Sequence, residues 1–434
     1  MARAKASDRI RMGFIGVGNR GTQLLERFMA NPKAEIVALC DVYEPYLKRD
    51  RSAVHPRYLD AGIPVPKMGE AFPSAVDRYH DFRDLLARED IDAVCIATPD
   101  HWHAIQTIMA FRSGKDVFVE KPLTITPYEG RRMIEVERET GRIGAVCLNR
   151  RGSTVFRKLV SRVRDGAIGT VVMGCARRIS SMFPEGIGNV VPENPPPDFD
   201  WDMWLGPRAA VPYRFNIAPY RFRWWADYSS QMGNWGVHYL DVIRWAMNED
   251  APVRVSAAGG NLVLRDDRTI PDTMVATFQF RSGALAQFEI IESAGGQGIN
   301  GGEIELRGSK GVLFASQDRY RVVPASRGQF QTWDSLIEPE EYNIEGKQSF
   351  GDLGIKEDST AILIDDFLDC VTTRKSPLCT LEDGHRSTLF AHLANIALVT
   401  GTQLEWDPEQ ETITNSEAAN ARCHYAYREP WTLE

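Results

Sequence analysis

Short apolar runs alternate with segments of helical apolar spacing through the first 150 residues. Apolar residues recur at helical spacing over 22–29 and over 104–113, and Gly114 is suited to end the second helix. Strands that alternate with helices predict a parallel, doubly wound sheet, with the apolar runs as its buried strands. These runs are Arg11–Gly16, Glu35–Cys40, Asp92–Thr98, Asp116–Glu120 and Ile143–Leu148.

The pattern changes beyond residue 148. Apolar and polar residues alternate over 273–280 and 285–290, and glycine-bounded runs follow at 302–308 and 311–315, which predicts two hairpins of a second sheet. Helical spacing occurs over 231–246 and 382–400, whereas 328–354 is polar and irregular and predicts a flexible loop. We therefore expect a first domain at residues 1–148 and an α/β domain at 149–434, with the C-terminal helices and tail packed back on the first.

A glycine-rich turn joins the first apolar run to the first helix. Gly16, Gly18 and Gly21 are spaced as G-x-G-x-x-G, and Asn19 and Arg20 separate the last two. Glycines at this spacing let the turn close and let backbone N–H groups approach a pyrophosphate at the helix N-terminus. Because a strand precedes the turn and a helix and strand follow it, we interpret the first domain as a Rossmann dinucleotide-binding domain.

An acidic residue ends the second apolar run. Asp41 stands twenty residues after Gly21, where a carboxylate can accept hydrogen bonds from the adenosine ribose. The same carboxylate would repel a 2′-phosphate, and residues 42–45 contain no arginine. The sequence therefore favours NAD over NADP as the cofactor.

Two further groups of polar residues, within 98–103 and at 120–121, follow predicted parallel strands. Ligands of such sheets bind beyond the carboxyl ends of the strands. A lysine at the end of a buried strand, beside a glutamate, must be paired or have a lowered pKa. Beside a substrate hydroxyl, such a lysine can donate a hydrogen bond or relay a proton. For His101 and His103, a purely structural role is at least an equal alternative. The predicted cofactor-binding residues here are Thr98, Pro99, His101, His103, Glu120 and Lys121.

Taken together, these motifs resemble the Gfo/Idh/MocA oxidoreductases, a family that includes glucose–fructose oxidoreductase and inositol dehydrogenases. The resemblance lies in the glycine turn, in residues 97–103 and in 120–123, and it extends through Asp241 into the C-terminal quarter. It implies a Rossmann domain, then an α/β domain with an open, mostly antiparallel sheet, and a nicotinamide at their junction. It also implies that Lys121 lies beside the nicotinamide. The peptide bond before the proline of this motif, here Pro122, is often cis in the family. The second sheet is expected to join copies of the chain into a dimer or tetramer.

The resemblance indicates Lys121, His238 and Asn234 as the catalytic residues. Asn234 and His238 are four residues apart at the start of a predicted helix, where they share a face. Many members of the family have aspartate in place of Asn234, paired with the histidine as a proton relay. Asparagine cannot take a proton, so His238 would act alone or with Lys121 or Asp241. An inert capping amide is the alternative for Asn234.

Aromatic and arginine side chains predict substrate contacts near the domain junction. Six of the ten tryptophans lie within residues 201–245. Aromatic faces stack on sugar rings, and arginines bond hydroxyls or carboxylates, although packing or a subunit interface is an equal alternative for most of them. The predicted substrate-binding residues are Arg150, Arg151, Trp225, Trp235 and Asp241.

The expected function is an NAD-dependent hydride transfer at a ring carbon of a sugar, sugar derivative or inositol. A second hypothesis makes the oxidation transient: a 3-keto glycoside loses its aglycone, adds water and is reduced again, so that NAD is recycled. A third hypothesis is a non-catalytic protein that binds nucleotide and sugar.

Composition excludes other classes of function. The net charge of −8 argues against a nucleic-acid partner, and no run approaches the roughly 18 apolar residues of a membrane span. No cluster of histidine, cysteine and carboxylate predicts a metal site, and His385 and His392 fit a domain seam. Seven cysteines without metal-ligand spacing favour a reducing compartment, so we expect a cytoplasmic protein, with a previously removed export signal as the alternative.

Overall fold

The computed structural model describes residues 9–296, 302–326, 328–330, 333–344 and 357–434. Six parallel strands form the first sheet, and most of their residues are apolar and buried, as a sheet covered on both faces requires. The strands are β1 (Ile10–Ile15), β2 (Ala34–Cys40), β3 (Asp77–Tyr79), β4 (Ala93–Ile96), β5 (Asp116–Val119) and β6 (Gly144–Val146). Their order across the sheet is β3-β2-β1-β4-β5-β6, as in a Rossmann domain.

Helices connect these strands. The helix that follows β5 begins at a capping box, in which Thr126 and Glu129 bond each other's backbone N–H groups. The α-helices of this part of the chain are α1 (Asn19–Ala30), α2 (Glu44–Lys48), α3 (Pro56–Asp60), α4 (Phe82–Leu86), α5 (His103–Arg112) and α6 (Pro127–Thr140).

The second sheet has ten strands and is mostly antiparallel. Its strands are β7 (Val171–Ile179), β8 (Arg254–Gly260), β9 (Thr273–Gln279), β10 (Leu285–Ile291), β11 (Ile304–Gly308), β12 (Gly311–Ala315), β13 (Arg319–Pro324), β14 (Glu340–Asn343), β15 (Leu404–Asp407) and β16 (Thr412–Ile413). The order is β14-β13-β12-β11-β7-β10-β9-β8-β15-β16, and the pairing of β7 with β10 is parallel.

Helices cover one face of the second sheet. The α-helices that follow the first domain are α7 (Thr154–Arg164), α8 (Trp201–Leu205), α9 (Val237–Met247), α10 (Ser359–Thr373), α11 (Leu381–Thr400) and α12 (Glu417–Asn420). The longest of them, α11, begins at a second capping box, formed by Thr380 and Asp383. Apolar side chains of α7, α9 and α11 bury the inward-facing strand residues in a second hydrophobic core.

The predicted fold class is confirmed, since a Rossmann sheet is followed by an α/β domain with a mostly antiparallel sheet. Most predicted strand and helix ends lie within three residues of the observed ones, and several coincide with them; the helix predicted from residue 231 begins as α9 at Val237. Within the predicted loop 328–354, polar residues 340–343 instead form β14, which pairs with β13. Residues 331–332 and 345–354 of that loop lie outside the described residues.

The two hydrophobic cores do not follow the sequence boundary at residue 148. The first core includes Phe367 of α10, whose ring lies 5.5 Å from that of Phe118 in β5. It also includes aromatic residues of 199–228; Phe215, for example, stacks on Tyr58 at 5.2 Å. Much of the tryptophan-rich stretch therefore packs against the first domain.

The C-terminal tail also packs on the first domain. The Tyr427 hydroxyl donates to Glu129 of α6 at 3.0 Å, and the Trp431 ring contacts Phe82 and Trp102. Close by, His385 of α11 bonds Glu411 at 2.9 Å, and Glu411 is also paired with Arg131 of α6. Among the described residues, no helix is long and apolar enough to cross a membrane.

Candidate active site

The glycine turn is shaped by close backbone contacts. Gly16 has a φ of +85°, and a Cβ atom there would lie 2.8 Å from the Ala97 carbonyl carbon. A Cβ atom on Gly21 would overlap the carbonyl oxygen of Gly16. Helix α1 begins after Gly18, and no side chain caps its N-terminus. Its first N–H groups are therefore available to an anion such as a pyrophosphate.

Asp41 stabilises this turn from the end of β2. Its Oδ2 accepts a hydrogen bond from the Val17 N–H at 2.8 Å, and its Oδ1 accepts one from the Tyr43 N–H at 3.0 Å. Burial raises the pKa of the Asp41 carboxyl, although these bonds oppose the shift. The nearby guanidinium of Arg49 is occupied, because it pairs with Glu70 at 2.9 Å and donates to the Val17 carbonyl.

A cavity of about 260 Å³ runs along the carboxyl ends of the parallel strands and reaches the second domain. It brings together eleven of the predicted site residues. These are Gly16, Gly18, Asn19, Arg20, Asp41, Thr98, Pro99, Glu120, Lys121, Asn234 and Trp235.

Lys121 lies where the two domains meet. Its Nζ donates to the main-chain oxygen of Asn234 at 2.9 Å and to Oδ1 of the same residue at 3.0 Å. Burial lowers the pKa of this amine to about 8, and the charge of Arg223 adds to that effect, while Glu120 opposes it. The amine therefore exchanges protons near neutral pH. The peptide bond between Lys121 and Pro122 is cis, as the family resemblance implies.

Glu120 is held by an ion pair within the first domain. The Arg20 Nε lies 2.6 Å from Glu120 Oε1. Burial opposes ionisation of Glu120, but the charges of Arg20 and Lys121 outweigh it and lower the pKa of the carboxyl. The pair fixes a carboxylate beside Lys121.

A π-helical turn presents Asn234 to the cavity. The turn spans Met232–Gly236 and leads directly into α9. Such turns are rare and often occur at functional sites. The side-chain amide of Asn234 donates to Gln231 at 3.2 Å, so both of its ends are bonded. Next to it, the Trp235 ring lies under the guanidinium of Arg178 at 3.8 Å.

His238 is buried and does not line the cavity. Burial, together with the charges of Lys121, Arg150 and Arg20, lowers the pKa of this histidine well below its usual value. The imidazole is therefore neutral at neutral pH. Its Nδ1 has no hydrogen-bond partner among the described residues. The structure shows no bond between His238 and Asn234 within the described part of the chain.

Four predicted substrate residues lie away from the cavity. Arg151 and Asp241 form a buried ion pair, with Nη2 and Oδ1 2.8 Å apart, and Ser387 donates to the same carboxylate. Arg150 pairs with Glu303 at 2.8 Å, and the indole N–H of Trp225 donates to a main-chain carbonyl. These side chains are engaged within the protein.

Gly21, His101 and His103 do not line the cavity either. His101 bonds the Trp204 carbonyl at 2.9 Å, and burial lowers the pKa of its ring to about 3. His103 lies between the carbonyls of Pro122 and Thr98, at 2.8 and 3.0 Å. It thereby joins the two loops that carry Lys121 and Thr98, which is a positioning role.

Two charged residues of the cavity were not among the predicted site residues. Asp100 accepts a short hydrogen bond from Ser229, and burial raises the pKa of its carboxyl. It follows β4 as Asp41 follows β2, so the same signal could have found it. Arg223 belongs to the arginine- and aromatic-rich stretch that predicts substrate contacts, but local sequence does not single it out, because the packing of residues 198–228 on the first domain brings it to the cavity.

Residues 198–204, which we name the clasp, cross one end of the cavity. The Glu44 N–H donates to the Asp198 carbonyl, and the Asp200 N–H donates to the Val42 carbonyl, both at 2.9 Å. Phe199 between them packs edge-on against Tyr43. Phe199, Met203 and Trp204 line the cavity. The clasp thus fixes a segment of the second domain over the end of β2.

The Rossmann sheet, the glycine turn and the lysine at the domain junction define a nicotinamide-dinucleotide-binding protein of the oxidoreductase class. Three family models match the chain. They are an oxidoreductase family with an NAD-binding Rossmann fold over residues 10–147, a GFO/IDH/MocA C-terminal domain over 204–314, and an oxidoreductase C-terminal alpha/beta domain over 356–433. The chain belongs to the Gfo/Idh/MocA oxidoreductase family.

Curated relatives are similar to part of the chain. A glycosyl hydrolase family 109 protein of Saccharopolyspora erythraea is 35% identical over 170 residues, which are 39% of this chain and 35% of the relative. A protein of the same description from Shewanella sp. (strain W3-18-1) is 32% identical over 179 residues, which are 41% of this chain and 37% of the relative. The matched segment thus spans about a third of each relative's length.

Solved structures share the fold over most of the chain. The WlbA dehydrogenase of Bordetella pertussis, in complex with NADH and UDP-GlcNAcA, superposes with a TM-score of 0.63 at 18% identity, covering 92% of this chain and 99% of that one. An aldose-aldose oxidoreductase of Caulobacter crescentus gives a TM-score of 0.61 at 19% identity, with the same coverage. At these identities the likeness shows the fold.

Proposed function

We propose that this protein is an NAD-dependent oxidoreductase that transfers a hydride at a ring carbon of a sugar, sugar derivative or inositol. The observation that carries the proposal is Lys121, a cavity-lining amine with a pKa of about 8, which Asn234 holds at the domain junction. The glycine turn and Lys121 line one continuous cavity, so a dinucleotide at the turn would extend toward this amine.

The residues of the turn fit the cofactor. Neither Gly16 nor Gly21 has room for a Cβ atom, and the uncapped start of α1 suits a pyrophosphate. Asp41 would accept hydrogen bonds from the adenosine ribose. When bound, the nicotinamide supplies the hydride acceptor for the substrate carbon.

NAD is the cofactor that the charges near Asp41 favour. A carboxylate at this position repels a 2′-phosphate. Arg49, whose charge acts on Asp41, is paired with Glu70 and is not free to bind such a phosphate.

The chain's own residues manage the proton of the reacting hydroxyl. With a pKa of about 8, roughly a tenth of the Lys121 amines are neutral at pH 7 and can accept that proton. The two oxygens of Asn234 then hold the ammonium by its other N–H groups. Lys121 then returns the proton to solvent, and His238, whose pKa burial and the charge of Lys121 lower well below its usual value, stays a neutral neighbour of the amine.

The test is a paired assay on the purified protein with sugars, inositols and aryl glycosides, with and without added NAD. Net formation of NADH supports the dehydrogenase. Lys121→Ala should abolish turnover, by about a thousandfold or more, while NAD still binds in calorimetry. Lys121→Arg keeps the cation without an accessible neutral form, and it should be equally inactive. Unchanged turnover in either variant would remove Lys121 from the mechanism.

A second candidate function is net glycoside hydrolysis or elimination with recycled NAD. The clasp favours it, because two main-chain hydrogen bonds hold residues 198–200 over the cavity and would hinder exchange of a bound dinucleotide. The relatives described as glycosyl hydrolase family 109 proteins agree with this reading. Aglycone release without net NADH would support it, whereas binding of sugar without either reaction would indicate a non-catalytic protein.

We further propose a homo-oligomer that forms through the second sheet. The face of this sheet opposite the helices carries partly exposed apolar side chains on neighbouring strands, which suits burial against a second copy. Light scattering of the purified protein tests this proposal. The apolar side chains of this face are Met173, Cys175, Val275, Leu285, Ile291 and Phe314.

All seven cysteines are free thiols, which favours the reducing cytoplasm as the compartment of the protein.

A further inference from the structure

Arg223 is held rigidly at the wall of the catalytic cavity. Its guanidinium lies over the rings of Tyr220 and Phe222, at 4.2 and 4.5 Å from their centres. Its Nη1 donates to the main-chain carbonyl of Tyr220 at 2.8 Å. Two aromatic contacts and one hydrogen bond fix the plane of the group before any ligand binds, which lowers the entropic cost of binding.

No carboxylate within the described part of the chain pairs directly with this guanidinium. Among the described residues, no aspartate or glutamate oxygen lies within 4.0 Å of it, and Nε and Nη2 have no hydrogen-bond acceptor. The other arginine that lines the cavity, Arg20, is paired with Glu120 at 2.6 Å. The unused edge of Arg223 is therefore available to a ligand in the cavity.

The surrounding charges leave this end of the cavity positive. Arg223 helps to lower the pKa of Lys121, so the two cations share one region. The carboxylates there are Glu120, which pairs with Arg20, and Asp100, which accepts a hydrogen bond from Ser229, so the three cations outnumber them. His238 is kept neutral by burial and by nearby cations. An anionic group on the substrate would therefore be stabilised beside Lys121.

We propose that the substrate is a sugar acid and that Arg223 binds its carboxylate. The proposal rests on the proposed function, because it names the substrate class of the same cavity. A flat guanidinium edge with two free donors matches a planar carboxylate, which it can bind through two parallel hydrogen bonds. A phosphate fits less well, since Lys121 is needed at the reacting hydroxyl and Arg223 is then the single cation left for a doubly charged group.

The test compares pyranose sugars that share a ring and differ in the group at C6. Glucose, glucuronate and glucose 6-phosphate, with the galactose series beside them, are assayed with NAD for kcat/KM. A carboxylate at one end of the sugar should raise kcat/KM at least tenfold over the neutral sugar. Arg223→Gln should lower the ratio of acid to neutral kcat/KM by about tenfold or more, which removes the preference for the acid, and Arg223→Lys should recover only part of it.

Arg221 provides the matched control. It lies on the same short turn, but its donors bond the carbonyls of Ile187 and Ala61, outside the cavity. Arg221→Gln should leave the acid-to-neutral ratio unchanged, and thermal unfolding of all three variants verifies their folding.

The outcomes separate this inference from the proposed function. The sugar-acid inference is overturned if neutral sugars or sugar phosphates are turned over in preference to acids. It is also overturned if Arg223→Gln does not change the acid-to-neutral ratio of kcat/KM. Either result leaves the proposed oxidoreductase function intact. If no compound is turned over, calorimetry of glucuronate and glucose against NAD-loaded protein decides. If glucuronate binds more tightly than glucose and Arg223→Gln removes that difference, the sugar-acid inference is supported and the proposed function is not. Equal binding of the two compounds, or no binding of either, overturns the sugar-acid inference.

Discussion

The ionisation of one amine, that of Lys121, depends on charges from both domains. Burial and Arg223 lower its pKa, and the carboxylates of Glu120 and Asp100 raise it, with about 8 as the result. A base with this pKa is neutral in an increasing share of molecules as pH rises toward 8. We therefore expect kcat/KM for substrate oxidation to rise with pH and level off above about 8.

Replacement of Asp100 tests this balance. Asp100→Asn removes a negative charge that favours the ammonium, so the pH at which kcat/KM reaches half its limit should fall below that of the wild type. We expect about a tenfold lower limiting rate as well, because the developing ammonium loses a stabilising charge.

The control for this experiment is Ser229→Ala, which removes the hydroxyl bonded to Asp100 but keeps its carboxylate. Its pH profile should stay close to that of the wild type. An unshifted profile in Asp100→Asn would show that this carboxylate does not act on Lys121.

Single residues also show what sequence reasoning can and cannot supply. The positions of Lys121 and Asp41 beside the cavity were predictable because both follow buried parallel strands, where ligands bind in this kind of sheet. Arg151 and Asp241 were predicted as substrate contacts, yet they form a buried pair between positions 90 residues apart. The partner of a buried arginine is set by tertiary packing, and its identity is not encoded nearby in the chain.

Among the secondary-structure elements, the glycine turn and the first turn of α1 leave no room for a larger residue at Gly16 or Gly21. Gly21→Ala would place a methyl group against the Gly16 carbonyl oxygen, which must then move. Overpacking of this kind costs about 1–3 kcal/mol of stability. We expect NAD affinity, measured by calorimetry, to fall by at least tenfold.

Gly260→Ala is the matched substitution, because a Cβ atom there meets its nearest neighbour at 3.8 Å. It should leave NAD affinity and thermal stability unchanged within about 0.5 kcal/mol. Equal NAD affinity in both variants would mean that the turn does not cradle the dinucleotide.

The clasp gives a second prediction at this level. Phe199→Ala removes the ring that packs against Tyr43 while leaving the main-chain bonds of the clasp in place. Loosening the clasp should speed the dissociation of bound NADH by about tenfold or more, measured by stopped-flow displacement.

Phe183 provides the control for the clasp, since its ring is 63% exposed. Phe183→Ala should not alter the dissociation rate. If Phe199→Ala also leaves the rate unchanged, the clasp does not retain the cofactor, and the case for recycled NAD weakens.

The order and type of most elements were predictable from the sequence. Continuous apolar runs mark the strands of the first sheet, alternating apolar residues mark strands of the second, and helical spacing marks the helices. The π-helical turn at Met232–Gly236 was not, since its wider hydrogen bonding has no distinctive residue pattern. Strand β14 was also missed, because its four residues are polar and it is recognised only by its pairing with β13.

Across the whole molecule, Glu411 joins the two domains at the seam around His385. Burial opposes its ionisation, but His385 and Arg131 outweigh that effect and lower the pKa of the carboxyl to about 2. The group therefore stabilises the fold fully above its unfolded pKa of about 4.5, and this contribution is lost as pH falls toward 2.

Glu411→Gln should lower the free energy of unfolding at pH 7 by about 2–3 kcal/mol, as measured by urea denaturation. The difference from the wild type should shrink between pH 4.5 and pH 2. The exposed pair of Glu409 and Arg281 is the control, and Glu409→Gln should cost less than about 0.5 kcal/mol. A pH-independent difference for Glu411→Gln would assign its effect to packing.

The interleaving of the two cores limits how this protein can be recombined. Phe367 of α10 and Phe215 lie far from residues 1–148 in the sequence, yet they complete the first core. The clasp likewise crosses one end of the cavity. Residues 1–148 are therefore not an independent domain that can be moved to another protein. Expressed alone, or fused to a different partner, they would expose to solvent the apolar surface that α10 covers. Evolution within this architecture must exchange the nucleotide-binding unit together with these distant segments, or adjust both in step.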